Sequence, residues 1–271
     1  MAEHGSGSQP GERQAPVMLA TSIPNLDRVL GGGVLAGSIV MITGAPGTGK
    51  SILAQQLAFG LAARGASTLY LTSYSETHDK LLAHSSGLRF FDAQQLGRRI
   101  QLHSLTDLFQ EGASETEAAI LTSVRQYRAV LVVLDGFGAM RRFLRDDLEV
   151  AHFLYSLGAK LALLGATLLV AVAGDPDESA RYPELTVCDT IVALRRQRHG
   201  SRFRRVLEVT KTRGTAGLDG LHLFTIDRTG ITVFPRFESV IEPTQARWSI
   251  ERAAFGVAAV DALMGLSLIH I

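Results

Sequence analysis

The sequence contains a single cysteine, Cys188, among 271 residues, and it has no marked excess of charge of one sign. One cysteine excludes an intramolecular disulfide and is most simply a small buried apolar group in a reducing compartment, so we expect a cytoplasmic protein. Lys and Arg number 27, and Asp and Glu number 26. Because this balance excludes a large field of one sign, any site for a polyanion must be local.

The sequence also lacks an apolar run that could cross a bilayer. Its most apolar stretch, residues 161–173, is too short and is interrupted by Gly165. Residues 1–16 are polar and rich in Gly and Ser, without the apolar core of a secretory signal. We therefore expect a disordered tail over residues 1–18 and no membrane partner.

Short apolar runs alternate with amphipathic stretches, a pattern typical of an α/β fold with a mostly parallel central sheet flanked by helices. Runs that are apolar throughout predict buried parallel strands over residues 38–43, 68–72, 129–134 and 167–172. Apolar residues at helical spacing predict helices over residues 51–64, 115–127 and 147–164. Later runs between glycine-containing or charged turns predict antiparallel C-terminal edge hairpins over residues 191–194, 205–210, 221–226 and 230–234.

The strongest motif is Gly-x-x-x-x-Gly-Lys-Ser, which lies between a predicted strand and a predicted helix. Gly47 and Gly49 permit backbone dihedrals that turn successive N–H groups inward, which forms a cradle for phosphate at the helix N-terminus. Lys50 adds a charge for the β- and γ-phosphates, and Ser51 supplies a hydroxyl oxygen to Mg²⁺. A glycine-rich turn without a ligand is the alternative. The motif predicts binding of ATP and Mg²⁺ by Gly44, Ala45, Pro46, Gly47, Thr48, Gly49, Lys50 and Ser51.

Two carboxylates are candidates for the rest of the site. Asp135 ends an apolar run and is expected at the C-terminal end of a neighbouring buried strand, where it would fix the water shell of Mg²⁺. An Asp that caps the next turn is the alternative. Glu76 follows the predicted strand 68–72 and is the leading candidate to orient or deprotonate water. Alternatively, Glu76 or Asp79 could merely favour the start of a helix over residues 75–84.

The phosphate loop and Asp135 resemble those of the KaiC-type ATPases of circadian clocks, within the RecA-like P-loop superfamily. The resemblance also includes residues 23–33, 211–215 and 223–226. The resemblance covers residues 21–236. It implies a RecA-like fold and a homo-oligomer, a hexameric ring with ATP between subunits, in which Lys211 and Arg213 reach the γ-phosphate of a neighbour. A cation there would stabilise charge that develops during phosphoryl transfer. Without the family, the two residues are simply cations at a strand end.

The resemblance also has departures. The family commonly has two adjacent glutamates after the second strand, whereas this sequence has Ser75 and Glu76, so hydrolysis is expected to be slow or altered. Gly136 stands where a hydroxyl residue often follows the aspartate. The sequence therefore predicts an ATPase that regulates a partner through nucleotide binding and slow hydrolysis at subunit interfaces. A DNA-stimulated recombination-type ATPase, a nucleotide-dependent scaffold with little turnover, and a serine/threonine autokinase are the alternatives.

Residues 22–31 resemble residues 256–265, with Asp and Gly in register. We expect the ATPase domain to span residues 19–236, followed by a linker over 237–252 and by the start of a truncated second domain of the same kind over 253–265. Residues 266–271 resemble a translated sequencing adapter and are interpreted as an artefact, with a natural hydrophobic tail as the alternative.

Residues 195–205 carry six arginines around a predicted hairpin tip. They could bind the phosphates of nucleic acid, a neighbouring subunit or another protein. They could equally be solvated charges that keep an edge hairpin from aggregating. Nucleic acid is not favoured, because only Phe203 offers a surface on which a base could stack.

Overall fold

The computed structural model of the chain describes residues 17–73, 85–174 and 184–239. All of these belong to one compact unit, Met1–Val240. The described strands are β1 (Met18–Leu19), β2 (Val34–Leu35), β3 (Ile39–Gly44), β4 (Ser67–Thr72), β5 (Ile100–Ser104), β6 (Ala129–Asp135), β7 (Thr167–Ala173), β8 (Thr190–His199), β9 (Arg202–Lys211), β10 (His222–Asp227) and β11 (Gly230–Phe234). The described helices are α1 (Leu26–Val29), α2 (Lys50–Ala63), α3 (Leu105–Phe109), α4 (Ala113–Tyr127), α5 (Asp147–Leu163) and α6 (Glu184–Val187), with 3-10 helices at Ala93–Gln95, Phe137–Phe143 and Phe237–Ser239.

Nine of these strands form one sheet in the order β11-β10-β9-β8-β3-β7-β6-β4-β5. Strands β3 to β8 run parallel. Strands β9, β10 and β11 extend the sheet by antiparallel pairing. Strands β1 and β2 form a separate two-stranded sheet. The α/β, RecA-like fold class with antiparallel C-terminal strands is therefore confirmed.

Strands β3, β4, β6 and β7 are buried along nearly their whole length because helices cover both of their faces. Val40 and Ile42 of β3 pack in one core with α2, whereas Ile39 and Met41 pack in a second core with α4 and α5. Alternate side chains of a strand point to opposite faces, so a continuous apolar run serves both cores at once.

The strand order also corrects one expectation. Asp135 was expected at the end of a strand neighbouring the phosphate-loop strand, but β7 lies between β3 and β6. The two strands still end at the same edge of the sheet, because both run parallel to β7. Asp135 can therefore face the loop across the end of β7.

Within the described ranges, no helix combines the length and the hydropathy needed to span a membrane. The 3-10 helix Phe237–Ser239 occupies the start of the predicted linker. The rest of that linker, the predicted second domain and the predicted tail up to residue 16 lie outside the described residues.

Candidate nucleotide site

The phosphate loop connects the end of β3 to the start of α2. Gly49 precedes α2 with a φ of 113°, and Gly47 has a φ of 76°, both in the left-handed region that favours glycine. Gly44 has a φ of 148°, and a Cβ atom there would lie 2.2 Å from the carbonyl oxygen of Leu194. The loop therefore fits closely against β8 only because no side chain stands at Gly44.

Lys50 lies within the concave side of this loop. Its Nζ donates hydrogen bonds to the carbonyl oxygens of Gly44 at 2.8 Å and Ala45 at 3.0 Å. The buried Thr48 hydroxyl also donates to the Ala45 carbonyl, at 2.9 Å. Burial lowers the pKa of Lys50, while the nearby charge of Asp135 acts in the opposite direction. The loop thus holds a cation beside the N-terminus of α2, which is itself a site that favours anions.

Asp135 lies at the end of β6 with only 8% of its surface exposed. The Ser51 hydroxyl donates a hydrogen bond to Asp135 Oδ1 at 3.1 Å, and the Tyr70 hydroxyl donates one to Oδ2 at 2.8 Å. Burial raises the pKa of Asp135, whereas these two hydrogen bonds, the Lys50 charge and the Gly136 backbone N–H all act to lower it. The hydroxyl and carboxylate oxygens brought together here are the hard ligands that Mg²⁺ prefers, so the donor set fits that ion.

Two clefts flank the loop, and Gly47, Lys50 and Ser51 line both of them. The first cleft extends to the ends of the parallel strands, and its remaining lining residues are Pro46, Thr72, Ser73, Asp135, Gly136, Gly138, Ala139, Ala171 and Ala173. The second cleft extends to β9 and β10, and its remaining lining residues are Gly49, Ile52, Gln55, Ser85, Leu88, Arg205 and Ile226.

The backbone conformation explains why a glycine, and not a hydroxyl residue, follows Asp135. Gly136 has a φ of 77°, and it precedes the 3-10 helix Phe137–Phe143. Its N–H donates to the carbonyl of Ala171 at 3.1 Å, which ties the end of β6 to β7. A glycine adopts this left-handed conformation without the steric cost that a Ser or Thr would carry.

Lys211 and Arg213 lie away from the loop of their own chain. Lys211 pairs with Ile191, which pairs with Met41, so Lys211 is level with the middle of β3 and two strands away from it. Its Nζ donates to the carbonyls of Leu185 and Thr186 at 3.2 and 3.0 Å. Burial lowers the pKa of Lys211, and Arg213 lowers it further.

Arg213 forms an ion pair with Asp189, with 3.6 Å between Nη1 and Oδ1. The structure therefore brings Lys50, Ser51 and Asp135 together and leaves Lys211 and Arg213 elsewhere. Glu76 lies outside the described residues.

The arginine-rich hairpin is only partly a set of solvated charges. Arg195 is paired with Glu208. Arg205 donates a hydrogen bond to the carbonyl oxygen of Gly47 at 3.2 Å. Arg196 lies over the ring of the exposed Phe203, 5.1 Å from its centroid. The hairpin thus contacts the phosphate loop at its base and carries exposed cations towards its tip.

Tyr70 and Arg205 are the site residues that the sequence did not single out individually. The hydroxyl of Tyr70 in an apolar strand was a signal, because a buried hydroxyl needs a hydrogen-bond partner. The sequence did not distinguish Arg205 from the other arginines of residues 195–205. Arg205 lies on β9, which reaches the loop because β9 pairs with β8 and β8 pairs with β3.

Comparison with known proteins places the chain in a family. The family model described as "ATPase: KaiC" matches residues 19–238. The circadian clock oscillator protein KaiC of Rippkaea orientalis is 30% identical over 258 residues, which cover 91% of this chain and 49% of that protein. The same protein of Synechococcus elongatus is 29% identical over 276 residues, covering 97% of this chain and 52% of that protein.

The circadian clock protein KaiC3 of a Synechocystis strain is 31% identical over 265 residues, which cover 91% of this chain and 51% of that protein. The chain spans about half the length of the curated relatives it matches. The matched region includes the phosphate loop, Asp135, Lys211 and Arg213. The chain belongs to the KaiC family of RecA-like P-loop ATPases.

Proposed function

We propose that this chain binds ATP together with Mg²⁺ and hydrolyses it slowly. The observation that carries the proposal is the contact of Ser51, at the start of α2, with Asp135, at the end of β6. Lys50 lies beside this pair, in a loop whose glycines have positive φ. A phosphate-binding helix N-terminus, a cation and an oxygen pair suited to Mg²⁺ together support phosphoryl transfer from a nucleotide.

The two clefts suggest the orientation of the nucleotide. We place the γ-phosphate in the first cleft, beside Asp135 and the end of β4, and the nucleoside in the second cleft. That second cleft has the apolar side chains of Leu88 and Ile226 and the cation of Arg205 on its walls. Apolar walls with a few polar groups are typical of sites that bind small molecules.

Within this arrangement, Lys50 would exchange its contacts with loop carbonyls for phosphate oxygens, which carry full negative charge. Mg²⁺, when bound, would neutralise charge on the β- and γ-phosphates, with Ser51 and Asp135 as its protein ligands, directly or through water. Glu76 is the proposed residue that orients the attacking water. Slow hydrolysis is proposed because Ser75, not a second glutamate, precedes it.

We also propose that the chain works as a homo-oligomer, a ring of hexameric type, that regulates a protein partner. The names of its relatives, as circadian clock proteins, support a regulatory use of ATP. Lys211 and Arg213 lie away from the loop of their own chain, which supports a role for them at a neighbouring subunit.

The test is binding of a fluorescent ATP analogue and release of phosphate, for the wild type and for Lys50→Ala and Asp135→Asn. We expect the wild type to bind the analogue more tightly with Mg²⁺ than with EDTA. Lys50→Ala should lose most binding, and Asp135→Asn should lose the response to Mg²⁺. The proposal is refuted if the wild type does not bind the analogue, or if neither substitution changes the binding.

Two further measurements separate the forms of activity. Glu76→Gln should slow phosphate release, whereas an unchanged residual rate would favour a scaffold with little turnover. Radiolabel from the γ-phosphate that stays on the protein would instead identify an autokinase.

A DNA-stimulated ATPase is a second candidate, favoured by the exposed Phe203 ring under Arg196. An aromatic ring and arginines next to each other can stack bases and contact phosphates of a single strand. Phosphate release with and without single-stranded DNA separates the two candidates. Strong stimulation that falls steeply with salt would support the second, and no stimulation would support the first.

A further inference from the structure

Tyr70 is a buried tyrosine whose hydroxyl contacts the metal-site carboxylate. Only 1% of the residue is exposed. It lies in β4, the strand next to β6, where Tyr70 pairs with Val133 and Thr72 pairs with Asp135. The ring therefore starts two residues before Asp135 and extends towards the end of the sheet, where its hydroxyl meets Oδ2 at 2.8 Å.

The two oxygens of Asp135 consequently have different surroundings. Oδ2 accepts the hydrogen bond of Tyr70 from within the protein, whereas Oδ1 accepts that of Ser51 beside the first cleft. Asp135 and Ser51 line that cleft, and Tyr70 is not among the described residues that line either cleft. Tyr70 thus contacts the candidate metal site through Asp135.

We propose that Tyr70 is a positioning residue that fixes the rotation of the Asp135 carboxylate, so that Oδ1 faces the metal position beside Ser51. This inference rests on the proposed function, because it assigns Asp135 to Mg²⁺. The hydroxyl is the group that matters, since a phenylalanine would fill the same space without a donor.

The physical reason is the cost of losing a hydrogen bond at a buried acceptor. With the Tyr70 donor removed, Oδ2 would lose a buried hydrogen bond, and the carboxylate would rotate to seek another partner or water. Substitution of a residue that orients a metal ligand typically lowers metal affinity by about 10–100-fold. The expected effect therefore falls on Mg²⁺ affinity and not on contacts with the nucleotide itself.

The experiment titrates Mg²⁺ into the full chain with a fluorescent, non-hydrolysable ATP analogue, starting from EDTA. We expect Tyr70→Phe to raise the Mg²⁺ concentration at the midpoint on the order of tenfold. Its affinity for the analogue in EDTA should stay within about twofold of wild type. Tyr155→Phe, which removes a hydroxyl from an exposed ring on α5, is the matched control and should behave as wild type.

A double variant tests whether Tyr70 acts through Asp135. In urea denaturation, Tyr70→Phe should cost less free energy of unfolding in an Asp135→Asn background than in the wild type, because a neutral amide tolerates the loss of a donor better than a carboxylate does. Equal costs in the two backgrounds would overturn the role of Tyr70.

If the wild type responds to Mg²⁺ and Tyr70→Phe has the same Mg²⁺ midpoint, the role of Tyr70 is overturned and the proposed function is left intact. An equal loss of analogue affinity in EDTA would also overturn the role of Tyr70, because that result indicates general damage to the fold. A wild type without any Mg²⁺ response would overturn the proposed function and the role of Tyr70 with it.

Discussion

At the residue scale, the burial of Asp135 sets its proposed role in metal binding against the stability of the fold. Burial raises the pKa of this carboxyl above its ordinary value, so the folded chain takes up the proton more readily than the unfolded chain. Stability is then lost as the pH rises from the ordinary carboxyl pKa through the folded one. A charge kept at this cost is typical of a functional site.

Asp135→Asn should therefore raise the free energy of unfolding at neutral pH, measured by urea denaturation without Mg²⁺. The gain should shrink as the pH falls towards 4, because the wild-type carboxyl then becomes neutral as well. Asp219→Asn, at an exposed position, is the control for replacing a carboxylate by an amide. A variant that is less stable than wild type at neutral pH would contradict this account of Asp135.

Arg205 is the second residue with an individual role to test. Its side chain contacts the Gly47 carbonyl and lines the second cleft, whereas Arg204 points to the opposite face of β9. Removing Arg205 loses one hydrogen bond to the loop and one cation beside the proposed nucleoside position. We expect Arg205→Ala to weaken binding of the ATP analogue by about 5–10-fold, with its dependence on Mg²⁺ unchanged.

Arg204→Ala removes the same charge from the other face and is the matched control. Equal weakening by both variants would mean that net charge matters and that the contact with Gly47 does not. Fluorescence titration at two salt concentrations distinguishes these outcomes, because a loss due to net charge is screened by salt.

At the element scale, an ion pair between Arg141 and the buried Glu184 ties the start of the short helix α6 to the segment after β6. Glu184 opens α6 and is fully buried. Arg141, in the 3-10 helix that follows Asp135, pairs with both Glu184 and Asp147. This network joins the segment after β6 to α5 and α6, on the same side of the sheet as the second core.

Removing one partner of a buried pair leaves the other charge uncompensated. Arg141→Ala should lower the free energy of unfolding by about 3–5 kcal/mol, measured by chemical denaturation. Arg145→Ala, at an exposed position nearby, should change it by less than about 0.5 kcal/mol. Adding Glu184→Gln to Arg141→Ala should recover part of the loss. A double variant as unstable as Arg141→Ala alone would place the defect elsewhere.

The parallel strands that the sequence predicted are those in which burial alone decides the pattern. The four parallel strands predicted from unbroken apolar runs all occur, because both of their faces are covered. Strand β5 was missed, since it lies at the edge of the sheet and Gln101 and His103 interrupt its apolar pattern. An edge strand is half exposed, so composition does not distinguish it from a loop.

The residues of the candidate site also differ in whether the local sequence reveals them. The phosphate loop is contiguous in sequence, and Asp135 ends an apolar run, so both could be recognised there. The contact of Tyr70 depends on the register of β4 with β6. The place of Lys211 depends on a register shift in β9: Val209 pairs with Val192 and Lys211 with Ile191, which leaves Thr210 between them. Such irregularities re-aim side chains and have no signature in the local sequence.

At the scale of the whole molecule, one chain does not bring all the proposed groups of the reaction together. Lys211 is level with Met41, three residues before the end of β3, so it lies roughly 10 Å back along the sheet from Gly44 and two strands across. Its Nζ and the Arg213 guanidinium contact α6 and Asp189 instead. If these cations stabilise a transferring phosphate, they do so at the site of a second copy of the chain.

This geometry predicts complementation between two inactive variants. Lys211→Ala retains its own loop and Asp135, whereas Asp135→Ala retains Lys211, so each lacks what the other can supply across an interface. Mixed in equal amounts, with free exchange of subunits, about a quarter of the interfaces would hold both intact groups. We expect phosphate release to rise from near zero for either variant alone towards that fraction of the wild-type rate.

The control is a mixture of Lys50→Ala with Asp135→Ala, which stays inactive because both lesions fall on the same side of every interface. Light scattering with and without ATP, on the same samples, reports whether copies associate at all. Association without recovery of activity would place Lys211 outside the reaction, and the absence of association would exclude a shared site. Recovery in the first mixture alone requires that each site be built from two copies, since no arrangement within one chain could produce it.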